Sequence, residues 1–249
     1  MGLNERIKNY WEGEATLYSQ SIEKELEGFQ RTAWKELILE NAPGKEKLEI
    51  LDIGTGPGFF PIVLTEAGHH VTGIDITENM IICARENVKR AGVAATLLQM
   101  DCQALTFADN SFDLAICRNL TWTLHDPVNA YKEWFRVLRP GGRLLVFDAC
   151  WYLHLFNEDL RRKYEENEAR IWQKYDRRTH SHADPEEGDK ISRQLFMSDK
   201  YRPLWDLGRM IEIGFSKVFA EIDITARIWD EVSKELNKTT PAFLVGGEK

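Results

Sequence analysis

The chain is predicted to be an α/β protein: a doubly wound, mostly parallel sheet with helices on both faces. Three observations carry this reading. Apolar, β-favouring runs alternate with helix-length amphipathic segments between residues 46 and 149. The stretch LEILDIGTGPGFF (48–60) joins the first such run to a glycine turn and then to a helix. Polar residues recur at the ends of successive runs, beginning with Asp75, Asp101 and Arg118. Alternation at this rhythm calls for parallel strands wrapped on both faces. Sheets of this kind bind ligands at the carboxyl ends of their strands, near the point where strand order reverses.

The elements follow in order. Residues 3–40 are expected to be helical, with Leu17, Ile22, Leu26, Phe29, Ala33, Leu37 and Ile38 at near-helical spacing, until NAPGKEK (41–47) breaks the segment. The helix after the glycine turn should reach Ala67 and stop at Gly68. HHVTGID (69–75) reads as the second strand. Thr77 is placed to cap ENMIICARENVKRA (78–91), which Gly92 ends. ATLLQM (95–100) and FDLAIC (112–117) are the third and fourth strands. Asp126-Pro127 opens a helix through Leu138, with proline where a first turn tolerates it. The turn at 139–142 then leads into RLLVFDA (143–149).

After Ala149 the alternation stops. Phe156, Leu160, Tyr164, Ile171, Trp172 and Tyr175 recur at helical spacing, which predicts one long amphipathic helix. A polar loop, RRTHSHADPEEGDK (177–190), follows it. From Tyr201 the alternation resumes as a helix (203–214), a strand (217–224), a charged helix (230–236) and a last strand, AFLVGGE (242–248). Residues 150–200 are therefore read as a helical cap inserted over the ligand edge of the sheet, the alternative being a helix packed elsewhere on it.

Composition narrows the function. The 249 residues fit one domain with an elaborated cap, and 43% hydrophobic residues supply a substantial core. A net charge of −8 weighs against a broad nucleic-acid footprint, which needs a basic face. No apolar run approaches the ~20 residues of a membrane span, and MGLNERIKNY lacks the apolar core of a signal peptide. Cys83, Cys102, Cys117 and Cys150 are scattered without a C-x-x-C pair, so neither a metal site nor a disulfide framework is expected, and a reducing cytoplasm is the expected location.

The glycine turn decides between ligands. Its spacing, Gly54-x-Gly56-x-Gly58, is one residue tighter than the dinucleotide fingerprint. Asp52, one residue inside the strand, would repel a pyrophosphate but suits an ammonium group. S-adenosylmethionine carries an ammonium and a sulfonium and no phosphate. The turn thus favours a methyl donor over NAD, with a purely structural turn as the third possibility. Asp75 is placed to grip a ribose diol, and Ile76 to cover one face of an adenine. Asp101-Cys102 and Arg118-Asn119 end the next two strands. Taken singly, each carboxylate also suits a turn or helix cap.

LDIGTGPGFF, GIDIT, MDCQALTFADNSFDLAICRN and FRVLRPGGRLLVFD together resemble the class I S-adenosylmethionine-dependent methyltransferases, especially their small-molecule branch. The resemblance is close over about 46–150 and loose over 201–249. It implies a seven-stranded sheet of order 3-2-1-4-5-7-6 with the last strand antiparallel. It also implies one domain over 1–249: an N-terminal helical lid (1–45), a donor-binding core (46–149), the cap (150–200), and the final helices and strand pair (201–249). By position, Gly54, Gly56 and Gly58 would lie under the methionine part of the donor and Asp52 would face its ammonium. Asp75 would hold the ribose, Asp101 with the Cys102 backbone would read the adenine, and Arg118 and Asn119 would sit near the sulfonium. S-adenosylhomocysteine would be the product.

The acceptor is left open by the resemblance. His125 is the candidate base or orienting group, because it follows the fourth strand. Trp122, Trp151 and Tyr152 are candidates for an aromatic acceptor wall. Tyr10, Trp11 and Tyr18 are expected to fold over the donor. His180 and His182 read as solvated loop residues. Arg193 and Arg202 are weighed as anion holders against ordinary surface roles. The D/N-P-P-Y/W motif of amino-directed nucleic-acid methyltransferases is missing, so nucleic acid and membrane are not expected as partners. The expected function is methyl transfer to O, N or S of a small metabolite or short peptide-like acceptor, by a monomer or homodimer. The alternatives are an NAD-dependent oxidoreductase and a non-catalytic donor- or partner-binding protein.

Overall fold

A computed structural model describes residues 2–179 and 185–249. Seven strands form one sheet: β1 (Glu49–Ile53), β2 (His70–Asp75), β3 (Thr96–Gln99), β4 (Phe112–Arg118), β5 (Leu138–Ala149), β6 (Lys217–Glu221) and β7 (Ala242–Glu248). Their order is β3-β2-β1-β4-β5-β7-β6, with β7 antiparallel to both neighbours and the first five strands parallel, as expected. Strand order reverses between β1 and β4, so the crevice for a ligand opens above Ile53 and Arg118.

The helices are α1 (Leu3–Glu27), α2 (Gln30–Asn41), α3 (Phe59–Glu66), α4 (Glu78–Ala91), α5 (Pro127–Val137), α6 (Glu158–Tyr175), α7 (Pro185–Ser192), α8 (Leu204–Ile213), α9 (Thr225–Ile228) and α10 (Glu231–Leu236). Alternate residues of each central strand enter opposite layers. Ile50, Leu114, Ile116 and Leu145 pack with Trp34, Leu37 and Phe60 of α2 and α3. Leu51, Ala115 and Val146 pack with Tyr131 and Trp134 of α5 and Met210 of α8. Burial on both faces is why these strands read as nearly continuous apolar runs.

Four departures from the expected elements have local causes. The helical run over 3–40 divides at Gly28, which adopts an extended conformation between α1 and α2. β5 starts five residues early, because Leu138 pairs with Phe112 and the chain then bulges through Pro140-Gly141-Gly142 before Arg143 pairs with Leu114. The supposed polar loop contains α7, with Pro185 in its first turn where proline costs nothing; His180 and His182 lie outside the described residues. In α6, Asn157 caps the start by accepting from the Leu160 N–H at 3.0 Å, so Phe156 precedes the helix. Trp172 faces solvent, and the helix docks instead through Asn167 and Ile171. Asn167 donates to the Leu236 carbonyl at 3.0 Å, while Lys174 and Tyr175 donate to Glu235 at 2.7 and 3.0 Å, fixing α6 to α10.

A buried charge network joins β5, α5 and α8. Arg202 is neither an anion holder nor a surface residue: its side chain is 1% exposed, between fully buried Asp148 and Asp206. It donates to Asp148 Oδ2 at 2.9 Å and to Asp206 Oδ1 at 2.7 Å. Tyr131 donates to Asp206 at 2.6 Å, and Thr121 donates to Asp148 at 2.5 Å while accepting from Arg202. Removing one partner strands a buried charge, which typically costs about 3–5 kcal/mol. Asp206→Ala should therefore lower the unfolding free energy in urea by about that amount. Breaking the exposed Arg162–Asp159 pair by Asp159→Ala should cost less than about 1 kcal/mol. Equal small effects in the two melts would show that the buried network carries no particular stability.

Candidate active site

A cavity of about 670 Å³ opens over the carboxyl ends of β1, β2, β4 and β5 and is roofed by residues of α1, α6 and α7. It falls in the ordinary size range of small-molecule sites. Its floor is the glycine turn. Gly54 and Gly56 have φ of +68° and +50°, and both face the cavity. A Cβ on Gly54 would come within 2.8 Å of the Leu120 side chain, and one on Gly56 within 3.4 Å of the Tyr18 ring. Gly58 serves packing instead: it starts α3 at φ +90°, and a Cβ there would meet Ala84 of α4 at 3.2 Å.

Asp75 links the turn to β2. Its Oδ2 accepts from the Gly56 N–H at 3.0 Å and its Oδ1 from the Thr77 N–H at 2.9 Å. Burial pushes its carboxyl above the usual range, against the pull of these N–H groups. Ile76, partly exposed, lies beside it on the wall. Thr77 occupies the first cap position of α4 without capping through its side chain. Glu12 of α1 does that work instead, accepting from the N–H groups of Glu78 and Asn79 at 3.0 and 2.9 Å. α1 is thus fastened beside the Asp75 turn.

Asp52 lies behind the wall, 2% exposed, and accepts from the Thr55 hydroxyl at 2.5 Å. Desolvation drives its carboxyl up to about 7, opposed by the Thr55 hydrogen bond and the Arg118 charge. Asp101 and Cys102 are not among the residues lining the cavity. Asp101 closes its own turn by accepting from the Gln103 N–H at 2.9 Å, and the Cys102 carbonyl is tied to the Trp134 indole at 3.0 Å. The third strand end therefore departs from its expected place.

Arg118 and Asn119 both line the cavity. The Arg118 guanidinium donates to Glu25 of α1 at 2.7 Å, and its charge acts on the Tyr18 phenol, opposing the effect of burial there. It rests 4.8–5.2 Å from the ring centres of Phe59, Trp34 and Phe60. Tyr18 lines the cavity from α1, and burial raises its phenol further above its ordinary value. Asn119 takes a left-handed φ of +53°, and its carbonyl accepts from the Trp122 indole at 2.9 Å.

Trp122, Trp151 and Tyr152 all line the cavity, joined by Trp11 of α1. The Trp122 ring centre lies 5.3 Å from Tyr152 and 6.1 Å from Trp11. His125 does not reach them: it is exposed at the bend before α5, because Asp126 and Pro127 direct the chain into that helix, and it is not on the wall. Among the described residues, the histidine on the wall is His154, stacked on Tyr164 at 3.9 Å with the rings 2° from parallel. Arg161 holds the adjoining turn by donating to the Leu155 carbonyl at 2.8 Å. His154 follows two residues after Tyr152, beyond the pair expected to form the aromatic wall. Tyr164 and Glu12 were hidden as one apolar and one polar residue of ordinary helix faces.

The seven-stranded order with an antiparallel last strand is the fold of the class I S-adenosylmethionine-dependent methyltransferases, and the G-x-G-x-G turn and the acidic end of β2 stand where that fold places its ligand cavity. The residues fit that donor: two glycines leave room at the floor, and the nearby side chains Asp75 and Asp52 are carboxylates, which suit cationic and hydroxyl groups and oppose phosphate. Comparison with known proteins agrees. The methyltransferase domain family matches residues 51–146. A ubiquinone/menaquinone biosynthesis C-methyltransferase of Roseobacter denitrificans is 35% identical over 140 residues, 53% of each chain. A phosphoethanolamine N-methyltransferase of Zea mays is 33% identical over 109 residues, 43% of this chain and 21% of the relative. The match thus spans about half or less of the length of such curated relatives. The solved structure of a Methanococcus maripaludis protein described as a putative S-adenosyl-L-methionine-dependent methyltransferase shares the fold, with a TM-score of 0.60, 18% identity and coverage of 93% and 91% of the two chains.

The turn geometry yields a first test of the site. Asp75→Ala should weaken S-adenosylmethionine binding by about 1.5–3 kcal/mol in calorimetric titration, the scale of charge-assisted hydrogen bonds. An unchanged affinity in a variant with native circular dichroism would remove Asp75 from the donor site.

Proposed function

We propose that the chain is an S-adenosylmethionine-dependent methyltransferase that moves a methyl group in line to a nucleophilic atom, O, N or S, of a small molecule or short peptide-like acceptor. The observation that carries this reading is the cavity itself: a carboxylate-flanked glycine floor continues directly into an aromatic wall under one roof. S-adenosylmethionine supplies an electrophilic methyl carbon bound to positive sulfur. The nucleophile's lone pair makes the new bond as the carbon–sulfur bond breaks, its electron pair passing to sulfur.

The chain's own part is alignment and exclusion of water. Asp75, with Gly56 beneath it, would hold the ribose end, and Asp52 would face the ammonium. Arg118 does not burden the sulfonium with a bare positive charge, because Glu25 pairs with it. The faces of Trp11, Trp122 and Tyr152 suit a cationic centre. A proton carried by the nucleophile would leave to a base on the wall, and His154 replaces His125 as the candidate. α1 acts as lid, and 150–200 as cap. A cytoplasmic site accords with the four free thiols. No helix among the described residues is long and apolar enough to cross a membrane. Relatives act on different atoms by name, a carbon in one and a nitrogen in another, so the acceptor atom follows from this chain's own pocket.

Calorimetric titration with S-adenosylmethionine, S-adenosylhomocysteine and NAD, followed by transfer of labelled methyl to a pool of small metabolites, tests the reading. Binding of the first two, no binding of NAD and a labelled small product are expected. Preference for NAD would replace the proposal with an oxidoreductase, and donor binding without any labelled product would favour a non-catalytic role.

Asp52 adds a pH dependence. Its folded carboxyl titrates at about 7, against an ordinary value near 4 in the unfolded chain. Between those values the folded state holds a proton that the unfolded state has released, so this group's stabilising contribution is present at low pH and lost as pH rises through 7. An ammonium facing Asp52 favours the carboxylate form. Donor binding at pH 6 should therefore release a proton, visible as a dependence of calorimetric heat on buffer ionisation enthalpy, and affinity should rise as pH is raised through 7. Asp52→Asn should abolish the proton release. A wild-type heat independent of buffer would place the ammonium elsewhere.

A further inference from the structure

The walls of the cavity differ in chemistry from floor to rim, and the rim indicates what the acceptor carries. At the floor, Asp75 is on the wall with Asp52 behind it. In the middle, the polar edges of two indoles are already used: Trp122 donates to the Asn119 carbonyl and Trp151 donates to Asp148 at 2.8 Å. Those two rings offer a ligand hydrocarbon and π surface, not hydrogen-bond donors. At the rim, arginines from separate segments converge. Arg178 follows α6 and Arg193 follows α7; both are exposed, and both line the cavity.

Among the described residues, neither Arg178 nor Arg193 makes an ion pair, whereas Arg90, Arg118, Arg136, Arg143 and Arg202 are each paired with a carboxylate. The two rim carboxylates do not balance them. Glu168 accepts from the Thr179 N–H at 3.0 Å and so holds the chain leading from α6, and Glu165 is one charge against three, since Arg161 lies beside it on the wall. Among the described residues, a chain of net charge −8 thus keeps unspent positive charge at the mouth of this cavity.

Resting on the donor reading above, we infer that the acceptor is an anion with a flat apolar body: a carboxylate or phosphate monoester held by Arg178 and Arg193, its body against Trp122 and Trp151. Its orientation follows from charge. The anionic group is attracted by the rim arginines, unpaired among the described residues, whereas the arginine nearer the glycine turn, Arg118, is already paired with Glu25, so the nucleophilic atom at the opposite end of the body points to the floor where the donor lies. Arginine suits the task, since its planar fork pairs bidentately with either anion. An aromatic wall also attracts cations, but the arginines at the mouth oppose their entry.

The test uses the full chain saturated with S-adenosylhomocysteine, and four probes of similar size measured by calorimetry: phenyl phosphate, benzoate, benzamide and phenyltrimethylammonium. Both anions should bind at least about tenfold more tightly than the neutral and cationic probes, with a preference that shrinks as salt is raised. Arg178→Ala and Arg193→Ala should each weaken anion binding about five- to tenfold and leave S-adenosylhomocysteine affinity unchanged, which also reports an intact fold. The double variant should bind phenyl phosphate no better than benzamide. Tighter binding of phenyltrimethylammonium, equal binding of all four probes, or an unaffected double variant would overturn the inference. The order of phenyl phosphate and benzoate tells which anion the site is built for. Failure to bind S-adenosylhomocysteine at the outset would instead overturn the donor reading.

Discussion

Arg202 sits between two carboxylates at the end of the sheet where the cavity opens, and the aromatic part of that cavity's wall depends on it. A guanidinium removed from water needs its charge matched and its donors used. Asp148 comes from the last turn of β5, Asp206 from α8, Thr121 from the turn after β4 and Tyr131 from α5. Four segments far apart in sequence are therefore held in one geometry by one side chain. Asp148 carries that geometry to the surface of the cavity. Its two oxygens also accept from the Ala149 and Trp122 N–H groups and from the Trp151 indole. The indoles of Trp122 and Trp151 on the cavity wall are thus aimed by a carboxylate that does not itself line the cavity.

The glycine-turn side of the cavity is held by a different device. α1 is polar overall, and hydrophobic burial alone gives it little hold. It is fastened by particular groups: Glu12 on the first N–H groups of α4, Ser19 accepting from Asn87 at 3.1 Å, Tyr18 over Gly56, and Glu25 on Arg118. Each of these contacts lies at or beside a strand end that faces the cavity. Fastening by polar groups costs less to release than a buried apolar face, because water replaces each partner. A roof built this way suits a site that must admit a donor and then shut out water.

The sheet was readable because its signals are local and redundant. Each strand is a short apolar run bounded by a glycine, an acidic residue or a proline, and DIGTGPG-type spacing marks the turn where strand order reverses. The glycines were recognised as a set, but which of them faces ligand depends on what lies opposite: Tyr18 for Gly56, Leu120 for Gly54 and Ala84 for Gly58. Arg202 looked like a surface arginine because its partners are 54 positions before it and 4 after it, and only the fold brings Asp148 to it. His125 looked well placed by its distance from β4, yet Asp126-Pro127 turns the chain away at that point. His154 stands two residues after Tyr152, but nothing in its neighbours shows that Tyr164, ten residues on, would stack against it.

The two devices together explain the distribution of charge. Where a charge serves the fold, it is buried and paired, as with Arg202, or half-buried and paired, as with Arg118 over its aromatic bed. Where an arginine stands on the cavity wall without a partner among the described residues, folding gives no reason for it. Exposed arginines of that kind are common on any surface and individually inert. What distinguishes Arg178 and Arg193 is convergence: two segments separated by α7 bring their guanidinium-bearing residues to one mouth, over a wall whose polar edges have been turned inward. An apolar body with a charged end is the shape such a surface complements, and the arginines decide which end stays at the mouth.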